Sequence, residues 1–165
     1  MSFKKTLQKI ESSNEFKDFI KQNQDAKLVA GFFIIDFISN DNKKSLDYIA
    51  NGKIFTFDIL ENGKVKFNVD ELIEKTNHKL TQISKNITVE VDELKSITGT
   101  RILDEGISAK FSKIIAILQN NNNKQVWNLT CMLDGLIIIN ILIDANTGEI
   151  IKFERKSMMD LIRKK

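Results

Sequence analysis

A chain of 165 residues with 25 basic and 22 acidic side chains, 11 phenylalanines and one cysteine is most simply a single domain, 1–165, with enough apolar material for its own core. One cysteine excludes an internal disulfide framework, no stretch approaches the roughly 20 apolar residues that span a bilayer, and the start lacks the apolar run of a secretion signal, so the expected setting is cytoplasmic, without a membrane partner. The net charge of +3 is spread among interspersed acids and bases, and only Arg101, Arg155 and Arg163 are arginines, which disfavours phosphate and guanine readout by guanidinium forks.

At the N-terminus Phe3, Leu7 and Ile10 share one helical stripe, while Phe16, Phe19 and Ile20 fall on the opposite side if the same helix continues. One straight helix cannot bury both. Ser12 followed by Glu15 has the form of a capping box, which predicts two helices, at about 3–11 and 13–23.

Runs of β-branched and aromatic residues separated by turn signals come next: "AKLVAGFFIIDFIS", "SLDYIA", "KIFTFDIL" and "KVKFNV". Asn51-Gly52 suits a type I′ hairpin, in which both central residues need positive φ. That turn pairs Ala50 with Lys53, Tyr48 with Phe55 and Leu46 with Phe57. The loop at Glu61-Asn62-Gly63 then sets Phe57 beside Phe67, Ile59 beside Val65 and Asp58 beside Lys66. One face of this meander is aromatic and the other polar, the pattern of a sheet buried on one side.

A helix is predicted over about 70–84, a short strand at 87–91, and helical turns interrupted at Gly99. Four further strands follow in "AKFSKIIAILQ", "KQVWNLTCML", "LIIINILID" and "EIIKFER", and a short basic helix at 156–164 ends the chain. Turn signals and preceding helices recur in the same order after about 83–86 residues. The predicted fold is therefore α+β, two tandem helix-plus-four-stranded antiparallel meander repeats, about 1–84 and 85–165, with helices packed on the sheet.

Asp134-Gly135, read as a two-residue turn, pairs Leu133 with Leu136 and sets Trp127 beside Leu142. The reverse side of that hairpin then collects Val126, Met132, Ile137, Ile139, Ile141 and Ile143. Such an apolar surplus on an otherwise polar face marks a partner-binding surface and a homodimer, unless the chain's own helices cover it.

The ending, a Trp-bearing strand, a "DG" hairpin and "IDANTGEII", resembles PepSY domains over about residues 110–154, and the helix-on-meander layout is also cystatin-like, though no "QxVxG" loop is present. The resemblance implies a protein- or peptide-binding module, in a family associated with protease inhibition. Locally, Asp144 can accept bonds from turn amides and Gly148 supplies positive φ.

No reaction is indicated. Cys131 and His78 would have to meet to form a nucleophile and base, Asp36 and Asp58 to form an acid/base couple, and one His with one Cys makes no metal set. No enzyme activity, cofactor or metal is expected. The alternative is nucleic-acid binding through a pseudo-repeat layout like that of the TATA-binding protein, whose aromatic side chains wedge into DNA; none of that family's motifs is present, and Phe55, Phe57 and Phe67 are read as core.

Overall fold

The computed structural model describes residues 1–71 and 80–157. Its dominant element is one eight-stranded antiparallel sheet in the order β4-β3-β2-β1-β5-β6-β7-β8. The strands are β1 (Lys27–Asp36), β2 (Lys43–Ala50), β3 (Lys53–Ile59), β4 (Val65–Glu71), β5 (Phe111–Asn121), β6 (Lys124–Leu133), β7 (Ile137–Asp144) and β8 (Ile150–Ser157). The described helices are short: α1 (Phe3–Glu11), α2 (Asn14–Gln22), α3 (Leu94–Asp104) and a 3-10 turn at Val91–Glu93.

This overturns the expected pair of helix-plus-meander repeats. The two meanders are not separate modules, because β1 and β5 pair edge to edge, Gly31 with Leu118 through Asp36 with Lys113, and fuse them into one sheet. The helical share is also smaller than expected. Residues 70 and 71 belong to β4, and 81–84 are not helical. Most of the helix placed at 70–84, and that at 156–164 beyond Ser157, lie outside the described residues. The segment 87–91 forms no strand. Gly99 does not interrupt α3, since at mid-helix a missing side chain weakens a helix without breaking it.

The N-terminal break into two helices is real, but its cap is Ser13. The Ser13 hydroxyl accepts from the Phe16 amide at 3.2 Å, while Ser12 closes α1. Phe16 and Phe19 drop from α2 onto Tyr48, Phe55 and Phe57, with ring centroids 4.7–6.1 Å apart, a spacing at which tilted aromatic pairs attract. The Tyr48 hydroxyl donates to Glu11 at 2.9 Å, and Lys85 pairs with the same carboxylate at 2.8 Å. Burial, with Glu11 beside it, pushes the Tyr48 phenol above its ordinary value.

All of these elements lie on one face of the sheet and share one core. At its centre Phe33 meets Trp127 edge to face at 5.7 Å. Gly31 makes room there: a Cβ at that position would come within 3.2 Å of the Phe33 ring. An irregular strap, residues 81–91, closes the core from the side. Its Ile83 amide donates to the Leu28 carbonyl, Ser84 and the Gln125 side chain exchange two bonds of 2.8 Å, and the Thr88 and Val89 amides donate to Ala145. Glu90 at the end of the strap accepts from the Phe3 amide at 2.7 Å, capping α1 from the other half of the chain.

Candidate functional site

The six residues predicted to form a contact surface do not share a face. In the β6–β7 hairpin Leu133 pairs with Ile137, Cys131 with Ile139, Leu129 with Ile141 and Trp127 with Ile143. The turn therefore contains three residues, Asp134, Gly135 and Leu136, the last two at φ 84° and 60°. One extra turn residue slips the register by one and turns the whole strand over. Ile139, Ile141 and Ile143 become fully buried, Ile137 packs against the core, and only Val126 and Met132 lie on the opposite face. The isoleucine stripe is covered by the chain's own elements and offers nothing to a partner.

Among the described residues, no helix covers the opposite face of the sheet. Its middle strands contribute Phe32 from β1 and Ile117 from β5, directly paired. Beyond Phe32 the pairing runs to Ser45, Asp58 and Lys66, and the next row holds Ala30, Asp47, Thr56 and Asn68. Together with the β1–β2 and β3–β4 loops these residues, Asn68 excepted, line a groove of about 660 Å³, within the usual size of ligand sites.

Two carboxylates stand on its floor. Asp47 accepts from the Thr56 hydroxyl at 2.7 Å. Its acidity is weakened by burial, with the Thr56 bond opposing and the neighbouring Asp58 and Asp70 adding to the effect. Asp58 is likewise raised by burial, against the attraction of Lys66 and Lys43 and a bond from Ser45. Neither forms an ion pair within 4.0 Å among the described residues. An apolar floor bearing partly desolvated carboxylates beside lysines can hold an extended chain, with its amides and basic groups directed at the acids.

The groups considered for catalysis are placed apart. Asp36 ends β1, where its carboxylate accepts from the Ile38 and Ser39 amides and the Ser39 hydroxyl. Those bonds, that of the Ser39 hydroxyl foremost, lower its pKa to about 2. It stands four residues along β1 from the row of Asp58, about 13 Å at the rise of a strand, too far to share a proton. Cys131 is fully buried, and burial drives its thiol up to about 12 against an opposing bond from Thr98. His78 lies outside the described residues. No group of three potential metal ligands occurs among the described residues. Phe55, Phe57 and Phe67 are on the helix side of the sheet, with Phe57 fully buried.

The turn singled out in the second half has the local geometry expected of it. Asp144 Oδ1 accepts from the Asn146 and Thr147 amides at 2.8 and 3.1 Å, and Gly148 takes φ 80°. The turn bonds depress the Asp144 carboxyl below the ordinary carboxylate range.

No protein-family model matches the chain, and no curated protein matches it. In fold it is similar to the crystal structure of a protein from Clostridium difficile 630 described as a candidate lipoprotein. The TM-score is 0.60 at 11% identity, over 87% of this chain and 91% of that one. No helix among the described residues is long and apolar enough to cross a membrane.

Proposed function

We propose that this chain is a non-enzymatic binding module in which the sheet face opposite α1, α2 and α3 takes an extended segment of a protein or peptide. The observation that carries this reading is the groove over Phe32 and Ile117, where an apolar floor adjoins the carboxylates of Asp47 and Asp58. The PepSY-like resemblance of residues 110–154 belongs to the same reading, and the Asp144–Gly148 turn is the local feature that supports it. Nucleic acid is the weaker occupant: Phe55, Phe57 and Phe67 face the helices, and the groove presents carboxylates where phosphates would have to lie. As to location, a fold shared with a candidate lipoprotein suits display at a membrane surface as well as a cytoplasmic role. An anchor would have to use a residue other than Cys131, whose sulfur is buried.

The test is amide chemical-shift mapping with a panel of short peptides of varied charge. Shifts confined to Ala30–Phe32, Ser45–Asp47, Thr56–Asp58 and Ile117 are expected, strongest for peptides with a basic residue among apolar ones. Shifts on the helix side, or none with any peptide, would overturn the reading.

A further inference from the structure

The two ends of the sheet, β4 and β8, are chemically different. On β8 Lys152, Arg155 and Lys156 flank Glu154, whose carboxylate stands 3.6 and 3.7 Å from the two lysines. Clustered cations are a common device that keeps an edge strand from pairing. β4, "VKFNVDE", carries a single cation, Lys66, balanced by acids, and its Phe67 and Val69 remain 43% and 46% exposed. Among the described residues, no strand pairs with its outer edge. The Leu60 amide donates to the Lys64 carbonyl at 2.8 Å, and the register with β3 is unbroken from Val65 to Glu71. Alternation then turns the amides and carbonyls of Lys66, Asn68 and Asp70 toward β3, and those of Val65, Phe67 and Val69 outward.

We propose that β4 pairs antiparallel with β4 of a second copy of this chain, about a two-fold axis through Asn68. This register sets Phe67 opposite the partner's Val69 and Lys66 opposite the partner's Asp70, each twice. Apolar pairs form on the helix side and ion pairs on the groove side. Phe67 is already oriented by stacking on Phe57, with centroids 5.6 Å apart. Moving the axis to Phe67 leaves Lys66 facing an asparagine, and moving it to Val69 puts Phe67 against Glu71. The charges therefore select one register. A two-fold contact closes on itself, so the product is a dimer and not a fibre. One strand pair makes a small interface, so assembly is weak and depends on concentration.

The axis places the two Asn68 residues as a non-hydrogen-bonded pair, with Cα atoms about 4.5 Å apart, within the reach of a disulfide. Under mild oxidation Asn68→Cys is expected to give a covalent dimer and Lys152→Cys, on β8, none. The buried Cys131 does not compete. In sedimentation the wild-type mass should rise from 18.9 kDa toward twice that value as concentration increases. Asp70→Lys should abolish the rise, and adding Lys66→Asp should restore it, with melting curves verifying the fold of each variant. A mass constant up to millimolar concentration, a dimer that survives Asp70→Lys, or equal cross-linking through position 152 would each overturn the proposal.

Discussion

The indole Nε1–H of Trp127 on β6 donates to the carbonyl of Val89 on the strap at 2.8 Å, with both groups inside the core. This bond adds a buried side-chain anchor to the backbone and Gln125 bonds that hold residues 81–91 against the sheet. Trp127→Phe keeps a ring in place but strands a buried carbonyl, which costs about 1–3 kcal/mol. Denaturant melts should show that loss, and amide exchange at Thr88 and Val89 should accelerate more than exchange in β3.

Leu136 sits at φ 60° and is 64% exposed. A left-handed conformation costs a non-glycine residue about 1–2 kcal/mol, and asparagine tolerates it best. Leu136→Asn should therefore raise the stability measured by chemical denaturation by about 1 kcal/mol. Deleting Leu136 should have the opposite effect. The shortened Asp-Gly turn would swing Ile138, Asn140 and Leu142 toward the core, and no cooperative unfolding transition is expected.

Ile141 is 1% exposed and faces Leu129 across the hairpin. Ile141→Ala should cost about 2–5 kcal/mol through lost transfer energy and the cavity left behind. Ile139→Asp combined with Ile141→Asp should abolish folding, because two carboxylates would be buried with no partner. Folded double-variant protein detected by circular dichroism would contradict the placement of this strand.

Asp47 and Asp58 give stability an uncommon pH dependence. Burial raises both carboxyls above the unfolded value of 3.8, so the folded chain holds these protons more tightly than the unfolded one. Their contribution is present in full below 3.8 and is lost as pH rises through the raised folded values. Asp36, lowered to about 2, acts in the opposite sense, its stabilisation fading as pH falls toward that value. Asp47→Asn keeps an acceptor for Thr56 and removes the charge. It should raise the melting temperature at neutral pH and leave it unchanged at about pH 3, while weakening any basic peptide in the groove.

Much of the first half was legible in the sequence. Asn51-Gly52 fixes its own turn type, with φ of 51° and 71°, and the pairs it implies, from Ala50 with Lys53 to Leu46 with Phe57, are those found. The second hairpin was not legible. Asp134-Gly135 serves a two- or a three-residue turn equally well. Both faces of β7 are so apolar that, short of its terminal Asp144, only Asn140 could reveal which one is inside. The groove escaped notice because its floor is shared by β1, β2, β3 and β5, and β5, the partner of β1 on the other side, is some 80 residues away in the chain. Pattern reading joins neighbours in sequence. It cannot supply the β1–β5 seam that merges two meanders into one surface.

That seam also bears on how the molecule assembles. Each meander can zip from local hairpins, whereas joining β1 to β5 requires an encounter between distant stretches of polypeptide, the slow kind of event in folding. A chain cut between residues 71 and 80 should accordingly yield two fragments that recover the intact sheet when mixed, at a rate set by collision.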